Sequence, residues 1–354
     1  MDGSNPRRHP QAGFSLVEIM IAATLGLLLT AAIMKLFVES RQAYQDLDGV
    51  NEIQENGRFA LEFLGHGLRM ADHWGGAAPD EVDGTISMTS RGSCTAAWIS
   101  QPEWGIEGYD GASAVGSVDE LPASCIASAN YVAGSDLLMV RYADPDGVMT
   151  DTALASATLP VVRVTAGIRG RLLDGGSTPP SDMPAGDATR NYPFRAQLYF
   201  LRPCSDPGDD GSCSSDDDDG DPIPTLVRSV LNYDGSTTVF TDEALVEGVE
   251  QLQIEYGRDT DGDGAPDRYD TAATLNTLAG SSRRKAWENV VSVRVAVLVR
   301  SLTEDASYTD ASSYSMLGDR TTALTTPVTV PTGSTHYRRK VFTNVVQLRN
   351  RSRQ

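Results

Sequence analysis

Histidine and cysteine are scarce in this chain of 354 residues, at four each, and acidic residues outnumber basic ones 48 to 29. The net charge of −19 argues against a nucleic-acid partner, because phosphate contacts need clustered Lys and Arg. None of the cysteines has the C-x₂-C spacing of a zinc or redox site. His66 and His73 lie seven apart with no third ligand candidate nearby, so a zinc site is not expected. No G-x-S-x-G elbow, P-loop or G-x-G-x-x-G occurs, and nothing marks an activated nucleophile. The expectation is a protein that is not an enzyme. Proline is absent from Phe14 to Met70, charge is absent from Ile19 to Ile33, and no internal repeat stands out.

What those two gaps leave is a membrane-length apolar stretch with one carboxylate near its start. The run Gly13-Phe14-Ser15-Leu16-Val17-Glu18 follows a short basic leader with Arg7, Arg8 and His9. A carboxylate near the bilayer centre costs about 2.5–3.5 kcal/mol, so Glu18 calls for a reason. A secretory signal would place a small-residue cleavage site after the apolar run, whereas this run continues into Lys35-Leu36-Phe37-Val38-Glu39. A plain anchor fits the hydropathy but explains neither Glu18 nor the glycine before phenylalanine.

The arrangement resembles the class III signal of type IV prepilins. That resemblance implies cleavage between Gly13 and Phe14 by a prepilin peptidase, N-methylation of Phe14, and retention of the apolar segment as a helix. It also implies that Glu18, fifth in the mature chain, pairs with the terminal amine of a neighbouring subunit during assembly.

Arg7 and Arg8 hold the N-terminus in the cytoplasm by the positive-inside tendency. The chain beyond about residue 40 is then outside the inner membrane, where disulfides persist. Four cysteines allow three connectivities. Pairing Cys94 with Cys125 and Cys204 with Cys213 is favoured, since each closes a loop of roughly 10–30 residues worth about 2–4 kcal/mol. Four buried free thiols are the alternative.

Past the apolar part, Leu47, Val50, Ile53, Phe59-Ala60, Phe63-Leu64 and Leu68 keep a helical spacing. This reads as one long helix, or as two collinear ones with a weak point near Gly49. After Asp72 the texture becomes glycine, serine, proline and short β-like runs. The best strands are Asp136–Tyr142, Pro160–Val164, Arg195–Leu201, Thr225–Leu231, Gln251–Tyr256, Val290–Arg300 and Lys340–Leu348. Long polar loops are expected at 74–93, 100–130, 172–192, 203–222, 258–284 and 303–336. The fold class is α+β, pilin-like, with a long N-terminal helix packed on an antiparallel sheet. The expected divisions are a leader at 1–13, a transmembrane and assembly helix at 14–38, an amphipathic helix at 39–72, and a β-rich periplasmic or extracellular domain at 73–354.

Two acidic runs stand out. From Asp259 to Asp270, aspartates fall at loop positions 1, 3, 5, 9 and 12 (Asp259, Asp261, Asp263, Asp267, Asp270), with Gly264 at position 6 and Ala265 at position 7. That matches the calcium-loop pattern except for aspartate in place of the final glutamate. The flanks read as strand and loop, so this is an isolated EF-type loop with a structural Ca²⁺, or else a metal-free acidic turn. The second run, Asp216 to Asp221, lacks the spacing and reads as a solvated loop.

Further segments resemble the minor pilins of the PilW type. These are Gly57-Arg58-Phe59-Ala60-Leu61-Glu62-Phe63-Leu64 with Gly67-Leu68-Arg69-Met70-Ala71, Leu245 to Gln253, the Asp-Gly-Asp-Gly loop, Val291-Ser292-Val293-Arg294, and the closing Phe342-x₃-Val346-x-Leu348-Arg349-Asn350. The resemblance implies a non-catalytic minor pilin that primes type IV pilus assembly and sits at or near the fibre tip. Its location would be the inner membrane as a single-pass protein, then the pilus on the cell surface. The partners implied are other minor pilins, a major pilin, the inner-membrane assembly machinery, the prepilin peptidase and a large tip adhesin, with twitching motility among the outputs. The alternatives are a minor pseudopilin of type II secretion and a membrane-tethered surface binding protein.

Overall fold

The computed structural model describes residues 15–317, 328–329 and 334–351. The leader, Gly13 and Phe14 lie outside the described residues, as does part of the loop expected at 303–336. The chain divides into two compact units, Met1–Asn51 and Glu52–Gln354, and each is described by itself.

The described part of the first unit is helix. Its residues include many strong helix formers and no helix breaker other than Gly26 and Gly49. α1 (Leu16–Met70) begins here with Glu18 in its first turn. From Leu16 to Val38 every large apolar side chain is exposed, and the helix is long and apolar enough to cross a membrane. Thr24 Oγ1 donates to the Met20 and Ile21 carbonyls and Thr30 Oγ1 to that of Gly26. Both hydroxyls are thus satisfied by the helix itself, as hydrocarbon surroundings require.

In the second unit the end of α1 lies on the core. Ile53, Ala60, Leu64, Leu68 and Ala71 are buried at helical spacing, with Gly57 and Gly67 buried on the same stripe. Phe59 and Phe63, which the sequence pattern assigns to this face, are 36% and 37% exposed. The glycines explain the rotation. A Cβ at Gly57 would lie 2.4 Å from the Phe342 ring, and one at Gly67 would lie 2.8 Å from the Tyr199 hydroxyl. Aromatic rings press directly on the helix backbone there, and Phe59 and Phe63 turn outward.

Two main sheets follow. In the larger, β1 (Val82–Asp83), β5 (Arg169–Leu173), β4 (Val161–Thr165), β6 (Thr189–Arg202), β3 (Leu137–Ala143) and β2 (Ile106–Tyr109) lie in that order, and β7 (Thr225–Tyr233) joins β6 to β8 (Thr238–Glu247). Only the short β1–β5 pair is parallel. The smaller sheet runs β10 (Arg268–Asp270), β9 (Val249–Arg258), β11 (Val290–Arg300), β14 (Arg339–Gln347), antiparallel throughout. β12 (Ser313–Tyr314) and β13 (Val328–Thr329) pair separately.

Alternation along β3 and β6 divides the core in two. Leu138, Val140, Tyr142, Tyr199 and Leu201 face a cluster with the helix stripe, Val293, Val295, Val297, Val299 and Trp287. Leu137, Met139, Phe194, Leu198 and Phe200 face a second cluster with Cys94, Cys125, Ile99 and Ile126. The α+β class and all seven expected strands are present: Arg195–Leu201, Thr225–Leu231 and Gln251–Tyr256 are extended, Asp136–Tyr142, Pro160–Val164 and Lys340–Leu348 are shifted by one residue, and Val290–Arg300 matches as read. The loop expected at 100–130 contains β2, and that expected at 258–284 contains β10, α2 (Ala272–Asn276) and the start of α3 (Gly280–Glu288). Both were hidden by polar residues that turn out to hold buried partners. Asn276, for example, donates to the Gly108 carbonyl at 3.1 Å and accepts from Trp287 Nε1 at 3.0 Å.

Candidate functional site

The assembly segment is the first turns of α1. Glu18 is exposed, and its Oε2 accepts from the Ser15 N–H at 3.4 Å, which places the carboxylate at the positive end of the helix dipole. Among the described residues it has no ion-pair partner, whereas Lys35 and Glu39 pair at 3.7 Å where the apolar stretch ends.

At the other end of α1 the C-terminal segment closes on the helix. Phe342 covers Gly57 and Val346 lies beside Gly65. Leu348 is fully buried, and Asn350 Nδ2 donates to the Ala71 carbonyl at 2.9 Å. Arg351 Nε donates to Asp72 Oδ2 at 2.7 Å, while Trp74 Nε1 donates to Asp72 Oδ1 at 2.9 Å. The closing motif thus caps orphan carbonyls of the helix end. Asp136, not singled out from sequence, joins the two sheets by accepting from the Gly111 N–H at 2.9 Å and the Ile254 N–H at 2.7 Å. A lone aspartate before an apolar run gives no sequence signal for this.

The acidic loop leaves β9 and returns as β10. Gly262 and Gly264 both have positive φ, 85° and 83°. Asp259 accepts from the N–H groups of Gly262 at 2.6 Å, Gly264 at 2.7 Å and Asp261 at 3.2 Å. The Gly264 and Gly262 bonds hold its carboxyl below the usual carboxylate range. Asp267 accepts from Thr260 Oγ1 at 2.6 Å and Thr260 N–H at 2.7 Å, which lowers it likewise. Carboxylate oxygens of Asp259, Asp261 and Asp267 come within 4.8 Å of one another, a spacing that hard oxygen ligands around one calcium would have. Asp263 accepts from the Ala265 N–H at 2.8 Å and is not in this group. Asp270 is turned away, accepting from Arg258 Nε at 2.6 Å and Arg268 Nε at 3.0 Å. Three of the expected ligands converge, and the last position is held by arginines.

The cysteines join as Cys94–Cys125 and Cys204–Cys213, with no free cysteine among the described residues. Asn130, just beyond the first closed loop, holds the second, donating to the Gly211 carbonyl at 2.8 Å and accepting from the Cys213 N–H at 2.8 Å.

A family model described as Type IV Pilus-assembly protein W matches residues 214–350, and the prokaryotic N-terminal methylation motif matches residues 8–34. Over those residues the chain is similar to PilW-type prepilins. No curated protein and no solved structure matches it. The longer match runs from the loop before β7 to Asn350, taking in the acidic loop and the motif that caps α1. Both disulfides and the larger part of the eight-stranded sheet lie outside both matches. The methylation motif and the exposed apolar helix make it a membrane-anchored, pilus-associated structural component.

Proposed function

We propose that this prepilin is a non-catalytic minor pilin that primes type IV pilus assembly and is carried at or near the fibre tip. The observation that supports this best is the first stretch of α1, an exposed apolar surface interrupted by a single carboxylate without an ion-pair partner among the described residues. In lipid that surface is satisfied, and on extraction it exchanges lipid for neighbouring apolar helices. Glu18 is the one group in it that fixes register, by meeting the amine of a neighbouring subunit's first residue. The prepilin peptidase cuts between Gly13 and Phe14 on the cytoplasmic face of the inner membrane. The partners are then other minor pilins, the major pilin, the assembly machinery and a large tip adhesin. We further propose a structural calcium held by Asp259, Asp261 and Asp267.

Mass spectrometry of the mature chain tests the processing. N-methyl-Phe14 is the expected N-terminus, and an intact Met1 or a cut beyond residue 30 overturns the reading. Glu18→Val removes the burial cost of the charge, so membrane insertion stays intact while recovery in sheared pili falls at least tenfold. Normal recovery of that variant in a strain lacking the parent chain would refute the role of Glu18. Recovery of the parent chain only in secretion-dependent pseudopili would favour the pseudopilin instead.

A further inference from the structure

We propose that the outer edge of β14 is a strand-addition site for an acidic, extended segment of another pilus subunit, the class of partner resting on the pilin reading above. β14 ends its sheet, paired to β11 alone over nine residues with no register shift. Leu348 N–H donates to the Val291 carbonyl and Ser301 N–H donates to the Arg338 carbonyl. The N–H and C=O of one strand residue share a side, and successive residues alternate. Even-numbered residues therefore face β11, and Val341, Thr343, Val345 and Gln347 aim their backbone groups outward. Among the described residues none of these outward groups has a backbone partner. Thr343, Val345 and Gln347 are exposed, Val345 by 58%.

Open edges attract stray strands, so folded proteins guard them with charge, bulges or shortness. The remaining edges here are guarded. β8 carries Asp242, Glu243 and Glu247 and breaks register against β7. β1 and β10 have two and three residues, and β2 is buried throughout. From Val341 to Gln347 there is no charge, proline, glycine or bulge. An unguarded edge of this length supplies main-chain hydrogen bonds for affinity, while alternate side chains supply specificity.

Charge selects the occupant. Exposed Lys340 and Arg349 bracket the edge on a chain of net charge −19. A second copy pairing antiparallel would bring Lys340 of each toward the Arg349 end of the other, and like charges opposed across strands are unfavourable. A segment with acidic residues at its ends meets both cations.

The test uses the full-length chain in cells that assemble pili, with p-benzoylphenylalanine in place of Val345. Photo-crosslinks should map to an extended acidic segment of another prepilin. Their yield should fall at least tenfold in K340E/R349E and in T343P, with disulfides and membrane level unchanged. Thr343 gives no N–H to β11, so proline removes only an outward donor. If T343P fails to fold, the charge reversal decides. Crosslinks to a second copy or to a helix, unchanged yield in K340E/R349E, or no crosslink at all overturns the proposal. The N-terminal mass scores the pilin reading separately. An unprocessed chain that still captures an acidic strand overturns that reading and keeps the edge, while a processed chain that captures none overturns the edge alone.

Discussion

Gly57 shows at the scale of one residue why a helix can carry a glycine in its middle. Glycine costs a helix interior about 1 kcal/mol relative to alanine, yet here the missing Cβ is the space into which the Phe342 ring fits, with Cγ, Cδ2 and Cε2 all within 2.7 Å of where it would sit. The contact is with the body of the ring rather than the end of a flexible chain, so the ring has to move as a whole. Overpacking of this kind costs about 1–3 kcal/mol, and the gain in helix propensity offsets only part of it. Gly57→Ala should therefore lower stability by about 1 kcal/mol, whereas on a Phe342→Leu background the same change should be neutral or stabilising. Thermal or chemical unfolding of the four variants gives the coupling, expected at about 1–2 kcal/mol. A coupling near zero would mean the ring does not hold the helix in place. Gly67 beneath Tyr199 follows the same logic on the other sheet.

At the scale of elements, the strands whose two faces are both buried were the most legible. Val290–Arg300 was readable to the residue because every second position is valine and its neighbours on the other face are also covered. β2 was not, since Ile106-Glu107-Gly108-Tyr109 is half polar and short. Its Glu107 is buried between two arginines, Arg141 at 3.6 Å and Arg283, from α3, at 2.9 Å, the latter a pairing 176 residues apart that no local pattern encodes. α1 was legible as a helix but not in its rotation, which the glycines decide. The acidic loop was legible as a spacing, while the diversion of Asp270 to Arg258 and Arg268 was not. The loop also carries a prediction. Calcium bound only by the folded state stabilises by RT ln(1 + [L]/Kd), about 2.7 kcal/mol at a hundredfold excess. With a Kd of about 10⁻⁴–10⁻³ M, as in extracellular modules, millimolar calcium should raise the melting temperature by a few degrees. Asp259→Ala with Asp261→Ala should abolish the shift. Asp270→Asn should keep most of it, because that carboxylate belongs to the arginines. Identical melting of parent and double variant with and without calcium would make the loop an ordinary acidic turn.

Over the whole molecule, charge works in two opposed directions. A net charge of −19 implies self-repulsion at neutral pH, yet several carboxylates are held below their usual range by donors present only in the fold. Asp151 is lowered by hydrogen bonds from Arg163 and Asn191, and Asp305 chiefly by Ser307, with Arg338 adding to it. For Asp310, burial pushes upward, but the Ser312 N–H, the Tyr314 hydroxyl and Arg339 outweigh it. A depressed folded value means that the stabilisation is fully present above the unfolded value, about 3.9 for aspartate, and is lost as pH falls through the folded one. Stability should therefore hold or rise slightly from pH 7 to about 5, as repulsion is titrated away, and fall below about pH 4. Asp305 and Asp310 pair with Arg338 and Arg339, so acid loosening should begin where β14 starts and raise hydrogen exchange there first. Asp151→Asn separates the two effects. It removes the counter-charge of Arg163, whose side chain is fully buried. Breaking a buried pair costs about 3–5 kcal/mol, discounted to about 2 kcal/mol here because Asp151 is partly solvated. At pH 7 that variant should melt lower than the parent, and its acid limb should be shallower because one depressed carboxylate has gone. Parallel acid limbs in parent and variant would show that Asp151 titrates alike in the folded and unfolded chain, and that the acid response arises elsewhere.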